Sequence, residues 1–328
     1  MKIPWRGAIG LALSVLLLWW AFHGVAWAEV WRDVRTANPL LVFVAVVVGN
    51  MIFPLRAIRW RPILDPVAPS LPYGKLWRAT AMGMMANNVL PARAGELVRA
   101  FVLSRETTVP FSAAFASLVV DRVFDAVIVL LLVVVAMIDP RFPAGVSALA
   151  YAGTGVLLFL AVGLALYAIV FFPDRLIRLY EAFARRVAPR FEERGRTMLR
   201  SFADGLSVLR HPKRFVVVFF WALLLWLTQA FAFWIMFRAI GITAPFSAAL
   251  LVQGLIVLWV AMPSTPGFFG PFEFASVTAL GWYGVPDSLA AAWALSYHVL
   301  SLIPITVIGL YYLARSGLHL GELKQIKS

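Results

Sequence analysis

The chain has 328 residues, 62% of them hydrophobic, and a formal net charge of +13 at pH 7. Its mean hydropathy of +0.85 excludes an ordinary soluble domain and indicates an all-α polytopic membrane protein. The sequence has no cysteine, which excludes disulfides, thiolate metal sites and cysteine nucleophiles. The basic excess favours cytoplasmic loops and anionic lipid headgroups, and not nucleic acid, as partners.

The first apolar segment covers residues 7–22 and lies behind two basic residues. Residues 26–28 (Ala-Trp-Ala) resemble a signal-peptidase site, so a cleaved signal is one interpretation of this segment. We favour a retained anchor, because many spans follow it. Residues 1–38 then form a first span and a short outer loop, and a second span at 39–55 runs inward.

Basic residues crowd the loop that is predicted after the second span. This loop has one acidic residue, Asp65, and five basic residues: Arg56, Arg59, Arg61, Lys75 and Arg78. By the positive-inside rule this loop is cytoplasmic.

A broken helix follows, apolar over residues 76–91 and resuming from Gly95 to Ser104. The break at Pro91 and Gly95 frees backbone groups that lipid cannot satisfy. Two half-helices that meet at such a break predict a re-entrant hairpin entering from the cytoplasm.

A long span is predicted at 111–138, and it carries Asp121, Arg122 and Asp125. Asp121 lies about 15 Å into this helix, near the middle of the bilayer. Residues 139–143 form an outer turn, and residues 144–172 return inward.

Residues 173–214 form the one long polar segment of the sequence. Apolar residues recur in it at helical spacing, at Leu176, Leu179, Phe183 and Val187, and then at Met198, Phe202, Leu206 and Leu209. This pattern predicts one or two amphipathic helices on the cytoplasmic leaflet, with anionic headgroups bound along 174–214. A solvated linker is the alternative.

A span at 215–237 then runs outward, and residues 246–262 and 272–283 predict a second hairpin. Its break holds Pro263, Pro266, Gly267 and Gly270. The last span, at 288–313, leaves residues 315–328 as a basic cytoplasmic tail.

The two halves of the sequence can be aligned at an offset of 172 to 177 residues. Pro91 then matches Pro263, Glu96 matches Glu273, and Val109-Pro110 matches Val285-Pro286. By span counting the two hairpins enter from opposite sides. We therefore predict a single integral membrane domain over 1–328, with about six spanning helices plus two re-entrant hairpins arranged as an inverted repeat. The first repeat is 39–143, the connecting part is 144–214 and the second repeat is 215–314.

Ten polar residues are candidates for a path that a lipid headgroup follows: Asn87, Asn88, Arg93, Glu96, Arg99, Asp121, Arg122, Asp125, Glu273 and His298. Charges at membrane depth cost roughly 2.5–3.5 kcal/mol each on insertion scales, so they are kept for a use. In inverted repeats, interrupted segments at matching positions mark a substrate site near the midplane. Arginine forks suit a phosphate.

Each candidate also has a structural interpretation. Glu96 and Glu273 can stabilise helix ends, and Arg122 can pair with Glu96 or an aspartate. Asn87 and Asn88 can satisfy the broken backbone, and a lone histidine such as His298 more often packs than titrates. The other three histidines (His23, His211 and His319) are scattered. We expect no metal site, no cofactor and no catalytic motif.

Three motifs carry a resemblance to a known family: Asn-Asn-x-Leu-Pro-x-Arg-x-Gly-Glu-x-x-Arg at 87–99, Asp121-Arg122 with Asp125, and Pro263-x-x-Pro-Gly-x-x-Gly-x-x-Glu273. Together they resemble the lysylphosphatidylglycerol synthase transmembrane region, the flippase-like domain of the bacterial multiple peptide resistance factor. The resemblance covers about residues 10–315. Where the family often has an arginine, this chain has His298. We do not expect this chain alone to synthesise lysylphosphatidylglycerol, because the soluble synthase domain has no counterpart in the sequence.

The resemblance implies a lipid flippase or transporter of the bacterial inner membrane, with a cytoplasmic C terminus. Its lipid would carry a polar, glycosylated or aminoacylated headgroup. An alternative is a membrane-embedded transferase, or an accessory subunit for enzymes of hopanoid, glycolipid or polyprenol-linked biosynthesis. The lipid, the direction of transport, its energy source and the oligomeric state stay open.

Overall fold

A computed structural model describes residues 5–90, 94–142, 172–187, 211–262 and 264–316, with scattered positions between 157 and 200. All regular structure in these ranges is helical, which confirms the predicted all-α class. Most of the predicted span 144–172, most of 188–210 and the tail from 317 lie outside the described residues. So do Pro91, Arg93 and Pro263.

The described helices are α1 (Trp5–Phe22), α2 (Trp27–Thr36), α3 (Pro39–Asn50), α4 (Ile52–Leu64), α5 (Tyr73–Val89), α6 (Gly95–Glu106), α7 (Phe111–Ile138), α8 (Pro173–Val187), α9 (Pro212–Ile240), α10 (Phe246–Val260), α11 (Pro271–Trp282) and α12 (Asp287–Arg315), with a 3₁₀ turn at Pro266–Phe268 between α10 and α11.

Three of these helices are long and apolar enough to cross a membrane: the continuous α3–α4 rod (Pro39–Leu64), α9 and α12. A fourth is added if α1 and α2, which meet at 82°, count as one bent span. Helix α7 has 28 residues and is long enough to span a membrane. It is not among the three, because it carries three charged residues. These apolar helices indicate that the chain is a multi-pass membrane protein.

The second predicted span is wrong at its end, because the helix does not stop at residue 55. It continues to Leu64 as α4, and the supposed loop residues Arg56 and Arg59 are 5% and 0% exposed. They are held inside because two carboxylates of α7 neutralise them. The predicted outer loop 23–38 is also wrong in part, since it contains α2.

Asn38 fixes the junction between α2 and α3. Its side-chain oxygen accepts hydrogen bonds from the N–H groups of Leu40 and Leu41, at 3.0 and 3.1 Å, and so caps α3. Its own N–H donates to the carbonyl of Ala239 over 2.8 Å, which joins the start of α3 to the end of α9. The α3–α4 rod therefore runs along α9.

Helices α5 and α6 fold back on each other across the first predicted break. The contact needs glycine on both sides: a Cβ at Gly83 would lie 2.7 Å from the carbonyl oxygen of Gly95, and one at Gly95 would collide with Gly83. Helices α10 and α11 also pack together, with the rings of Trp259 and Phe274 4.6 Å apart. The helix pairs lie where the sequence predicted hairpins.

Each of these helix pairs also packs on a long helix from the other half of the chain. Gly309 of α12 lies against Ala81 of α5, where an added Cβ would be 2.6 Å from the Ala81 carbonyl oxygen. Gly254 of α10 lies in the same way against the side chain of Val133 of α7. The packing is therefore crossed, with α5 on α12 and α10 on α7.

Helix α1 packs on the second break. Thr265 donates its N–H to the Ser14 hydroxyl over 3.0 Å, and the backbone of Gly270 closes against Ser14. Gly267 and Gly270 both have positive φ, 72° and 100°, which explains why glycine occupies these turns.

Helix α8 confirms that the polar segment after Pro173 begins as a helix. Its Leu179 and Phe183 side chains are 68% and 63% exposed, so an apolar face is uncovered. The predicted contact of this face with a lipid surface stays a prediction. The second predicted helix, around Met198 to Leu209, lies outside the described residues apart from Arg200.

Candidate functional site

Seven charged side chains from α4, α6 and α7 converge in the core of the described helices. We call them the charge cluster: Arg56, Arg59, Glu96, Arg99, Asp121, Arg122 and Asp125. Arg59 lies at its centre, with 0% of its side chain exposed. Its Nε donates to Asp121 over 2.8 Å and its Nη1 donates to Asp125 over 2.7 Å. The four-residue spacing of the two aspartates puts both on one face of α7.

Two further arginines flank Arg59. Arg56 donates from Nη1 to Asp125 over 2.9 Å. Arg99, which is 0% exposed, donates to Asp121 over 3.3 Å, and its guanidinium lies 4.0 Å from the ring centre of Trp60. The carboxylates and the indole face together compensate for the loss of water around Arg99.

Asp125 receives hydrogen bonds from three helices. Besides Arg56 and Arg59 of α4, it accepts from the indole N–H of Trp226 on α9 over 2.8 Å and from Arg122 on its own helix over 3.0 Å. Buried carboxylates need this many partners, because an unpaired charge in a low-dielectric interior is very costly. Asp125 is thus the point where the α4, α7 and α9 helices are joined.

The charge cluster has one edge that is not fully buried. Arg122 forms an ion pair with Glu96 of α6, and their side chains are 40% and 24% exposed. The four arginines and three carboxylates leave one positive charge over. This edge is therefore the most exposed part of the cluster.

Some hydrogen-bonding capacity in the cluster is unused. Among the described residues, Arg56 Nε, Arg99 Nε and Glu96 Oε2 are buried without a hydrogen-bond partner. Buried orphan groups of this kind are uncommon and mark strained or functional positions. The two Nε–H groups are unused donors, and Glu96 Oε2 is an unused acceptor.

The second half of the chain holds a smaller polar pair, Glu273 and His298. Their Oε1 and Nδ1 atoms are 2.6 Å apart, and both side chains are almost fully buried. The other oxygen of Glu273 accepts the N–H of Gly270 over 2.7 Å, which caps α11. The imidazole stacks on the ring of Phe272, with ring centres 4.1 Å apart, and its centre lies 4.7 Å from that of the tilted Phe269 ring. Glu273 therefore has the helix-end role that was one of its two interpretations.

The two asparagines act at the first break. Asn87 accepts the N–H of Gly95 over 2.8 Å through its side-chain oxygen, and Asn88 donates its amide to the Thr306 hydroxyl over 2.8 Å. Asn87 thus satisfies a backbone group at the start of α6, as one interpretation proposed. Asn88 instead ties α5 to α12.

The structure brings five of the ten predicted residues into the charge cluster and puts Glu273 and His298 in a separate pair. Arg93 lies outside the described residues. Sequence reasoning missed Arg56 and Arg59 by assigning them to a loop. The signal that would have found them is the apolar pattern that continues past them, since Ala57, Trp60 and Leu64 are all fully buried.

The donor set of the cluster suits an anion more than a metal. Within the described ranges, no three histidine, aspartate or glutamate side chains are placed to hold a metal ion. Planar guanidinium groups bind carboxylate and phosphate oxygens bidentately.

A family model described as "Lysylphosphatidylglycerol synthase TM region" matches residues 7–309. A UPF0104 membrane protein of Methanothermobacter thermautotrophicus is 25% identical over 334 residues, which cover 97% of each chain. The UPF0104 membrane protein MJ1595 of Methanocaldococcus jannaschii is 20% identical over 313 residues, 93% of each chain. The glycosyltransferase AglD of Haloferax volcanii is 40% identical over 116 residues, which are 35% of this chain and 19% of that protein. These relatives are archaeal.

Proposed function

The chain belongs to the lysylphosphatidylglycerol synthase transmembrane-region family, and on that basis we propose that it moves a lipid with a polar headgroup across a membrane. The observation that carries the proposal is the charge cluster, which holds one excess positive charge on apolar helices and opens at Arg122 and Glu96. In a bilayer, the anion available to such a site is a lipid phosphate. The acyl chains of the transported lipid stay in the hydrocarbon of the bilayer.

The roles of the residues follow from their exposure. Arg122 is the first contact for the phosphate, because it is the most exposed arginine of the cluster. Glu96 holds Arg122 when no lipid is bound and is exchanged for the phosphate when one arrives. Arg99 is fully buried, so it reaches the headgroup only when α6 moves. Arg93 lies outside the described residues, and on the sequence motif at 87–99 alone we propose that it too contacts the headgroup.

The architecture that we propose keeps six spans, two re-entrant hairpins and an inverted repeat. Helices α3–α4, α5, α6 and α7 then correspond to α9, α10, α11 and α12. The crossed packing supports this correspondence. Ala81 contacts Gly309, and Gly254 contacts Val133. A shift of 173 residues takes Ala81 to Gly254, and a shift of 176 takes Val133 to Gly309, so the repeat converts each contact into the other. The pairs Glu96–Arg122 and Glu273–His298 correspond in the same way. The halves would rock against each other around a midplane site.

The two halves would not be equal in charge. By the same offsets, Arg56 and Asp121 correspond to Gln229 and Tyr297, which share a neutral hydrogen bond of 2.9 Å. The second half is therefore aromatic where the first is charged. On this proposal each chain offers one headgroup site, near the end of the α3–α4 rod that we place toward the cytoplasm with the C terminus, in the inner membrane.

Reconstitution in liposomes tests the function. Headgroup translocation of fluorescently labelled phosphatidylglycerol is measured for the wild type, Glu96→Gln and Arg122→Ala. Both substitutions lie at the partly exposed edge of the cluster, so we expect the fold to be retained. The transport rate is expected to fall at least about tenfold, as for loss of one charge-assisted contact. Arg141→Gln, in the exposed pair with Asp139, is the control. Wild-type rates in both variants would refute the site.

A second candidate is a membrane subunit or transferase acting on a lipid-linked sugar. The match to the glycosyltransferase AglD favours it, although it covers only 19% of that protein. This candidate requires that the purified chain forms a glycosylated lipid from a sugar donor, or raises the rate of an enzyme that does so. Translocation without any product formation would exclude it.

A further inference from the structure

An open crevice of about 550 Å³ lies between α3 and α12, next to α2. Its walls are apolar and include Val42, Phe43 and Val46 of α3, and Leu300 of α12. A second depression of about 430 Å³ continues it along α2, past Trp27 and Trp31. The two share Val34 and Ser296, so they form one groove. We call this groove the α2 crevice.

The position of the crevice follows from how α3 and α12 meet. The two helices touch where Gly49 lies against Tyr297, since the missing side chain lets the phenol close on the backbone. The α3 residues that line the crevice all precede this contact, from Pro39 to Val46. The crevice therefore opens toward the α2 end of α3.

One cation lies at the crevice. Arg35 is among its lining residues, and its guanidinium is held 5.2 Å from the ring centre of Trp31. Among the described residues Arg35 has no ion pair, whereas Arg32, on the same helix, contacts Asp33 over 3.4 Å. The crevice is thus apolar along its length with one uncompensated positive charge at α2.

Helix α2 is placed as an interfacial helix is. It is amphipathic and follows α1 at 82°, with Trp27 and Trp31 more than half exposed. Tryptophan collects where hydrocarbon meets headgroups. An interfacial position of α2 would put Arg35 at the depth of lipid phosphates and the crevice at the depth of acyl chains.

We propose that the α2 crevice is a binding site for one anionic glycerophospholipid, with an acyl chain in the crevice and the phosphate on Arg35. Three observations agree on this occupant: the apolar lining, the unpaired arginine at the headgroup end, and a volume within the roughly 300–1,000 Å³ of small-molecule sites. A basic residue at the membrane surface attracts anionic lipid by electrostatics.

This site is separate from the charge cluster. Pro39, at the crevice, and Arg56, in the cluster, are 17 residues apart on the α3–α4 rod, or roughly 25 Å along a helix. On α12, Ser296 and Leu300 line the crevice while His298 pairs with Glu273. The proposal does not rest on lipid transport, and its test measures retention of lipid, so either proposal can fail alone.

Native mass spectrometry of the purified chain, released from nanodiscs of equal phosphatidylglycerol and phosphatidylcholine, tests the site. We expect one retained phosphatidylglycerol per chain. Arg35→Gln should lower its occupancy about fivefold, the effect of one basic residue at a membrane surface. Arg32→Gln removes the same charge from the same helix, outside the crevice, and should retain the lipid.

A second variant tests the acyl-chain part. Ser296→Phe fills the point that both depressions share, so it should displace the lipid whatever its headgroup. Val299→Phe introduces the same side chain on the exposed side of α12 and is the control. Equal lipid retention in Arg35→Gln and Arg32→Gln, together with equal retention in Ser296→Phe and Val299→Phe, overturns the proposal. So does a dimer that dissociates on Ser296→Phe, because a second chain would then be the occupant.

Discussion

Arg59 and Asp121 lie side by side in the core, with Arg59 Nε donating to the carboxylate over 2.8 Å and neither side chain exposed. Two opposite charges in such a place stabilise a fold only while both are present. Their attraction offsets a desolvation cost of several kcal/mol per ion. If one partner is removed, the remaining buried charge still bears that cost and has no compensating attraction.

Arg59→Ala is therefore expected to destabilise the protein by about 3–5 kcal/mol, because it leaves Asp121 and Asp125 without their central partner. Thermal unfolding in detergent measures the loss. Arg61→Ala is the matched control, since Arg61 is exposed on the same helix. Equal midpoints for the two variants would contradict a structural role for Arg59.

Trp226→Phe tests the link between α9 and the cluster. The indole N–H donates to Asp125 over 2.8 Å, and hydrogen bonds to charged groups are worth about 1.5–3 kcal/mol. Phenylalanine keeps the ring in the core but removes the donor, so a loss of that size is expected in chemical unfolding. Trp221→Phe, in a half-buried position on the same helix, should lose less. The link is unsupported if the order is reversed.

Gly95→Ala tests the close packing of α5 and α6. A Cβ there would collide with the Gly83 carbonyl and the Asn87 side chain, so α6 must move away. Overpacking of this kind costs about 1–3 kcal/mol. Faster amide hydrogen exchange over residues 95–106 would report the separation. Gly74→Ala, where an added Cβ meets no neighbouring atom, should leave exchange unchanged.

Glu273 is expected to stabilise the start of α11 through hydrogen bonds of both of its carboxylate oxygens. Glu273→Ala leaves the Gly270 N–H and the His298 ring without partners, at about 1–3 kcal/mol for each buried group. Glu273→Gln keeps an acceptor oxygen, so it should lose about half as much. Amide exchange at the start of α11 measures both. Exchange in both variants equal to that of the wild type would show that neither bond stabilises the helix.

Much of the helix layout could be predicted from the sequence. The bounds of α7, 111–138, were predicted as observed, because an apolar run between Pro110 and Asp139 has clear ends. The helix breaks before Gly95 and before Pro271 were also predicted, since proline and glycine mark them. Helix α2 was missed because its ten residues mix charged, aromatic and aliphatic side chains and do not stand out as a span.

The candidate site could be predicted only in part. The sequence predicted Glu96 or an aspartate as the partner of Arg122, since these charges interrupt apolar segments, and Arg122 pairs with both Glu96 and Asp125. Arg56 and Arg59 were not found, because the positive-inside rule assigns basic residues after an apolar run to a loop. Their true place depends on Asp121 and Asp125, more than 60 residues away in sequence. Only tertiary contacts decide whether such an arginine is buried.

The crossed packing bears on how the chain is made. Ala81 of α5 and its contact Gly309 of α12 are separated by 228 residues. At about 5–20 residues per second of synthesis, α5 waits roughly 10–45 s on the ribosome for this surface. Until then the face of α5 that bears Ala81 and Met85 has only lipid or an insertion factor to cover it. Completion of the fold is therefore an event that follows translation, and a chain that stops before α12 should be degraded.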